Sequence, residues 1–220
     1  DRHIGRAINE TARQRQADLM ILGWPGHTDS PRSAFGSVID LVAINPPCDL
    51  AVVRFRKRRS PRRILVPTSG GANTSLAIKL AIDQAKSYAT ETGEEPVITL
   101  MYVCLPADAS PEKRAGGFEL LRSLAAGYDY PMEVTVLADD DVVTGIVKES
   151  ANHDLVVIGS TGERLFEQAL FGTIPERVAH SAPVTVIMVK GYKGPIRSWF
   201  RRNFSWLFAV GERRRRRRTR

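Results

Sequence analysis

One spacing of small residues occurs twice in this chain, 136 positions apart. In the later copy an apolar run, Leu155 to Ile158, ends in Gly159; Gly162 follows, and after nine more residues come Gly172 and Thr173. In the earlier copy, Asp18 to Ser37, Gly23 falls on Gly159, Gly26 on Gly162, Phe35-Gly36 on Phe171-Gly172, and Ser37 on Thr173. The match continues without a gap to Arg54, with Pro47 on Pro183 and the run from Leu50 to Val53 on Val186 to Val189. A repeat that long means two copies of one structural unit, and the chain must fold so that both are accommodated.

The copied motif is a strand that ends in a glycine turn and leads to a helix start. Small residues let backbone N–H groups approach an anion, and the first turn of a helix leaves N–H groups unpaired at the positive end of its dipole. The motif therefore points to phosphate binding. The bland alternative is a tight turn that binds nothing.

The two copies sit in unequal surroundings. Residues 1–57 read as a helix over about Ile4 to Arg15, a strand Leu19 to Leu22, the glycine loop, a helix from Gly36-Ser37, and a strand Leu50 to Phe55. The second helix is expected to bury Val38, Ile39, Val42 and Ala43 and to stop at Pro46-Pro47. Two strands cannot bury their own faces, so this segment needs a further half upstream or borrowed partners. The chain begins at Asp1 rather than Met, as expected of a fragment or a processed product.

Residues 62–190 read as a complete unit. Strands are expected at Ile64 to Val66, Val97 to Val103, Met132 to Leu137, Leu155 to Ile158 and Val184 to Val189. The helices between them are Ser75 to Tyr88, Pro111 to Ala126, Val142 to Asn152 and Thr173 to His180. Asn73 or Thr74 is positioned to cap the first of these, whose apolar face includes Leu76, Ile78, Leu80 and Ile82. The acids Asp139 to Asp141 open the third. Strict alternation of strand and helix implies a doubly wound parallel sheet.

Two basic segments flank this unit. The linker at 58–61 lies in the cluster Arg54 to Arg63, which reads either as a solvated connection or as a patch facing an acidic partner. The tail, 191–220, carries more positive charge than the formal net charge of +8. Twelve Lys/Arg lie from Lys190 onward against one acid, Glu212, so the rest of the chain is slightly acidic. Ile196, Phe200, Phe204 and Leu207 share a helical face flanked by Trp199 and Trp206, and six arginines follow, Arg213 to Arg218. That pattern fits an interfacial helix on an anionic membrane surface. A disordered tail, or a helix packed on the body of the protein, fits as well. Nucleic acid is the weaker reading, because no base-reading module accompanies the arginines.

With these residues in view, 62–190 resembles a complete universal stress protein domain, and 1–57 resembles the C-terminal half of another. The resemblance implies an α/β fold of the adenine nucleotide alpha-hydrolase-like type, a five-stranded parallel sheet of order 3-2-1-4-5. It also implies an adenine nucleotide, ATP or a relative with or without Mg, in the crevice between the first and fourth strands. By position, Gly159, Ser160 and Gly162 would line the phosphates, and Gly172 and Thr173 would close over them. Val103 would contact the base, and Pro67, Thr68 and Ser69 would face base and ribose. Gly23, Gly26, Gly36 and Ser37 would form a partial site in the first unit. One departure stands out: the family commonly places an acid after the first strand, where this chain has Ser69.

The wording PTSGG and GWPG…FGSVID…PPCDLAVVR further resembles paired stress-protein domains appended to amino-acid permease-like transporters. That implies a regulatory module on the cytoplasmic side of a membrane, joined to a transporter membrane domain in the same chain. A stand-alone cytoplasmic stress protein and a ligand-free scaffold are the alternatives. The last strands of the two units, edge strands in this fold, are expected to pair with each other as a pseudo-dimer, or between copies as a homodimer. No catalytic constellation emerges: His3, His27, His153 and His180 are scattered, the last two as helix-end residues, so no enzyme and no metal site is expected. Cys48 and Cys104 are expected to be buried and reduced.

Overall fold

The repeat and the alternation lead to one continuous sheet. A computed structural model describes residues 2–27, 34–56, 60–106, 110–161 and 170–192. Its elements run α1 (Arg2–Gln14), β1 (Leu19–Trp24), α2 (Ser37–Ile44), β2 (Asp49–Arg54), β3 (Arg63–Pro67), α3 (Thr74–Thr92), β4 (Val97–Cys104), α4 (Pro111–Ala126), β5 (Met132–Ala138), α5 (Val142–Ser150), β6 (Leu155–Gly159), α6 (Thr173–Ser181) and β7 (Thr185–Lys190). Local chemistry explains several boundaries. Ser110 accepts the Lys113 N–H ahead of Pro111 at the start of α4. Asp141 accepts the Thr144 N–H at the start of α5, and Gly93, at φ 75°, ends α3.

The seven strands lie in the order β1-β2-β7-β6-β3-β4-β5. Within it, the five strands of the second unit keep the expected order, third-second-first-fourth-fifth, and are parallel to one another. The first unit adds β1 and β2, also a parallel pair. It joins through β2 and β7, which pair antiparallel. The two last strands thus do pair within the chain, and β2 borrows the partner it lacked.

The register of that junction follows the repeat. Val52 stands opposite Met188, its own counterpart 136 positions on, with Leu50 opposite Lys190 and Arg54 opposite Val186 on either side. A local twofold axis therefore passes between Val52 and Met188. Side chains obey it too. Arg54 donates to the Ala179 carbonyl, and its counterpart Lys190 donates to the carbonyl of Ala43, the counterpart of Ala179, at 2.7 Å. Phe35 and Phe171 meet edge to face across the axis, centroids 5.6 Å apart.

Helices cover the two faces unequally. α1, α2, α5 and α6 lie over one apolar cluster, built on residues such as Ala12, Val42, Ile146 and Val178. α3 and α4 cover the other, through Ala77, Ile78, Ala81 and Leu121.

Three expectations change. Asn73 does not cap α3 with its side chain, which reaches elsewhere (below). Alanines 77, 81 and 85, with Ile78 and Ile82, form the buried stripe of α3, while Leu76 and Leu80 are half-buried; likewise Val38 on α2 is only half-buried. Arg54 is not part of a solvated linker, because it ends β2 and is buried. Residues 57–59 and the tail from 193 onward lie outside the described residues. Cys48 and Cys104 are buried and unbridged.

Candidate functional site

β3 and β6 are adjacent and parallel, yet the chain leaves them towards opposite faces, to α3 and to α6. That divergence opens a crevice at their carboxyl ends, the place where doubly wound sheets bind ligands. A cavity of about 240 Å³ occupies it.

Of the residues singled out from sequence, Pro67, Thr68, Ser69, Val103, Gly159 and Ser160 line this cavity. Its walls also take Gly71, Asn73, Thr74, Met101, Tyr102, Val142, Ile146, Ile158, Thr161 and Ile174. Gly172 and Thr173 stand just behind the wall. Gly172 has φ 98°, and a Cβ there would lie 1.8 Å from Thr161 Oγ1, so only glycine fits. Gly162 lies outside the described residues.

The donors at the α6 end of the crevice are not those the spacing alone suggests. The Ser160 N–H is taken by the Val189 carbonyl at 2.7 Å, and the Thr161 N–H by the Phe171 carbonyl at 2.9 Å. Among the described residues, what remains is the start of α6. Pro175 has no N–H and the Glu176 N–H bonds to Gly172, which leaves Thr173 and Ile174 as the N-terminal donors. Ser160 offers its hydroxyl, held by Asn73.

Asn73 is the residue that sequence reasoning missed. Its Nδ2 donates to Ser160 O at 2.8 Å and to Ser160 Oγ at 2.7 Å. Its Oδ1 accepts the Gly191 N–H at 2.8 Å. The Asn73 backbone also closes over Gly159, where a Cβ would lie 3.0 Å from the Asn73 carbonyl oxygen. Nothing local distinguishes this asparagine from a helix cap, since its partners are 87 and 118 residues away.

At the other end, Thr68 is engaged in its own turn. Its hydroxyl meets Thr74 Oγ1 at 2.6 Å and accepts the Gly70 N–H at 3.0 Å. Ser69 is exposed. It stands with Tyr102 and Val103 between this crevice and a second cavity of about 540 Å³ that reaches Glu112, Lys113 and Leu120. Ile158, Val142 and Ile146 form an apolar floor. Among the described residues no Asp, Glu, Lys, Arg or His lines the crevice. The arrangement can hold a ligand between hydroxyls, helix-start N–H groups and an apolar floor.

A carboxylate in the first turn of α6 supports the preceding loop. Glu176 accepts the Phe171 N–H at 3.0 Å, and burial pushes its pKa above the ordinary value, against the lowering effect of the Phe171 and Leu170 N–H groups. His180, in the last turn of α6, has its pKa lowered by burial and by the nearby Arg54 and Arg56. His153 is buried just after α5, with Nδ1 3.0 Å from the Glu149 carbonyl. Both histidines are helix-end residues, as expected.

The first unit arranges its copy differently. Trp24 takes the position of Ser160. It is 1% exposed, wedged among Phe35 and His180 at 5.0 and 4.6 Å and the Arg54 guanidinium at 5.4 Å. Gly26, at φ 89°, backs onto Arg54, whose Nε lies 2.6 Å from where a Cβ would be. Gly36 has φ 101° and Ser37 begins α2, while Gly23 lies exposed on β1. Loop geometry persists, but packing replaces the hydroxyl of Ser160.

The model of the Universal stress protein family matches residues 1–54 and 61–190. The chain belongs to that family. Among its relatives is the Na(+)/H(+) antiporter NhaS5 of Synechocystis, 34% identical over 184 residues, which cover 81% of this chain and 25% of the antiporter. The universal stress protein Rv2005c of Mycobacterium tuberculosis is 26% identical over 190 residues, covering 80% of this chain and 62% of that protein. The chain thus spans a quarter of the one and about three-fifths of the other. Among solved structures, a universal stress protein from Archaeoglobus fulgidus matches with a TM-score of 0.58 at 18% identity, over 86% of this chain and 66% of that one. A functionally unknown protein, PA1789 from Pseudomonas aeruginosa, matches with a TM-score of 0.59 at 16% identity, over 85% and 68%. Both support the fold. Among the described residues no helix is long and apolar enough to cross a membrane.

Proposed function

We propose that residues 62–190 bind an adenine nucleotide, ATP or a close relative, and that the chain is a regulatory module carried on the cytoplasmic side of a membrane transporter. The observation that carries the nucleotide reading is the open crevice between β3 and β6, with an apolar floor for a base at one end and the start of α6 at the other. A ligand-free scaffold is less well supported, since the described side chains leave this cavity open. Binding rather than hydrolysis is proposed, because the described residues of the lining offer no carboxylate or histidine to position water. Any Mg²⁺ would arrive on the phosphates themselves. The missing acid at Ser69 places affinity at the phosphate end.

Residues 1–57 are proposed as the second half of another domain of the same type, on the strength of the gap-free repeat and the twofold junction. Transporter attachment rests on the likeness to the antiporter. That relative favours cation antiport over the amino-acid permease type. The basic aromatic tail is proposed to contact anionic lipid.

Titration calorimetry with ATP, ADP and AMP tests the central reading. Gly71 lines the crevice, its φ is not positive, and nothing lies within 4 Å of where its Cβ would be. Gly71→Asp should therefore leave the thermal midpoint unchanged, yet weaken ATP binding about tenfold by charge repulsion, equivalent to roughly 1.4 kcal/mol. No heat with any of the three nucleotides would remove the proposal. Liposome flotation with and without residues 195–220 tests the tail.

A further inference from the structure

At the end of β7, consecutive residues tie the crevice to the first unit. The Val189 carbonyl takes the Ser160 N–H at 2.7 Å. Lys190 Nζ donates to the Leu170 carbonyl at 3.1 Å and to the Ala43 carbonyl at 2.7 Å. The Gly191 N–H goes to Asn73 Oδ1 and the Tyr192 N–H to Asp49 Oδ1, each at 2.8 Å. Ser160 lines the crevice and Leu170 precedes the start of α6, and the Thr161 N–H joins these two loop ends through the Phe171 carbonyl at 2.9 Å. Ala43 and Asp49 belong to α2 and β2 of the first unit.

The local twofold repeats the outermost of these links. Arg56 and Thr185 are the counterparts of Tyr192 and Asp49, 136 positions away, and the Arg56 N–H donates to Thr185 Oγ1 at 3.2 Å. Each unit thus pins the chain where it leaves the other's last strand. The two copies differ in strength and in what lies behind them. Asp49 is a buried carboxylate, 8% exposed, and its bond is the shorter one. Behind Tyr192 the path continues through Gly191 and Asn73 to the Ser160 hydroxyl. Behind Arg56, Phe55 is exposed and Trp24 takes the position of Ser160.

The path has a held and a loosened state. With Tyr192 held, Gly191 stands ready for Asn73 Oδ1. Asn73 Nδ2 then donates to Ser160 Oγ, which leaves the hydroxyl proton to be donated to a ligand. With Tyr192 loosened, Asn73 loses its Gly191 partner and the hydroxyl is no longer aimed. A ligand that accepts from Ser160 therefore binds the held state better, and whatever favours that state favours the ligand.

We propose that residues 189–192 are a relay between the crevice and the first unit: a ligand on Ser160 tightens the junction at Asp49, and loosening that junction weakens the ligand. The inference rests on the reading of the crevice as a nucleotide site. Asp49 is a positioning residue, since it lies outside the crevice lining.

The test is titration calorimetry with ATP on the full chain and on variants at Asp49. Asp49→Ala removes the acceptor and should weaken ATP binding about fivefold, although losing a negative charge by itself favours an anion. Asp49→Asn keeps an oxygen for the Tyr192 N–H and should restore the affinity. Tyr192→Pro lacks the N–H, breaks the same link without touching β2, and should match Asp49→Ala. Ile82→Ala opens a cavity on α3 away from the crevice lining, so it should lower stability and leave ATP affinity alone. Hydrogen exchange without nucleotide reads the relay separately: the Ser160 amide should exchange about tenfold faster in Asp49→Ala and Tyr192→Pro, but not in Asp49→Asn. Unchanged ATP affinity in both link-breaking variants, an equal loss in Ile82→Ala, or an unchanged Ser160 amide would overturn the relay. A chain that takes up no nucleotide, with the Ser160 amide still faster in the two variants, would remove the nucleotide reading and support the relay.

Discussion

Asn73 shows how much one side chain can join. It links the crevice loop at Ser160 to Gly191, where the chain leaves β7, and the next residue, Tyr192, donates its N–H to Asp49 on β2 at 2.8 Å. All three polar links of Asn73 would be lost in Asn73→Ala, stranding buried partners, with an expected cost of about 1–3 kcal/mol. Urea unfolding should show that loss, and calorimetry should show weaker ATP binding, because the Ser160 hydroxyl is no longer held. Unchanged stability and affinity together would mean the clasp carries neither. The residue was invisible in sequence because an asparagine before a helix has a ready local explanation as a cap. Trp24 was hidden for the same kind of reason. Its position in the motif is that of a ligand-facing residue, and only its packed neighbours reveal that it fills the space.

At the scale of elements, α2 and α6 begin in the same way. Asp40 accepts the N–H groups of Ala34 and Phe35 at 2.9 Å each, and Glu176, 136 residues on, accepts that of Phe171. A carboxylate in the first turn thus folds the preceding loop back onto its helix, which is favoured by the dipole. Burial raises the Glu176 pKa above the ordinary 4.5. A raised carboxyl pKa contributes stability below the ordinary value and loses it as pH rises through the shifted one. Glu176→Gln keeps an acceptor for Phe171 and removes the buried charge. Thermal melts should therefore show the variant more stable at neutral pH, with the gain vanishing as the pH falls towards 4.5. On the proposed binding mode the variant should also bind ATP more tightly, since a negative charge leaves the helix start that would face the phosphates. A gain that persists at low pH would assign it to something other than titration.

For the whole molecule, the twofold junction decides behaviour. β2 is buried on both faces, the fully apolar face of Val52 meets Met188, and Arg54 and Lys190 reach across symmetrically. The two units should unfold in one cooperative step. Val52→Asp puts an unpaired charge at the axis and should cost roughly 3–5 kcal/mol, with limited proteolysis removing residues before 55 first. Two separate transitions in the unmodified chain would contradict a shared core. Much of this architecture was legible beforehand. Alternating apolar strands and amphipathic helices set the α/β class, because those periodicities are local properties of the chain, whereas the strand order of the second unit was implied by the family resemblance alone. The spacing of Gly159, Gly172 and Thr173 marked the crevice for the same reason, as positive φ and close approach demand glycine wherever they occur. Which N–H groups stay available there, how Asn73 ties Ser160 to Gly191, and why Arg54 is buried were decided only when distant segments met. So was the line along which β2 meets β7: the sequence contains both halves of the symmetry, but a twofold axis exists only between strands that have found each other in space.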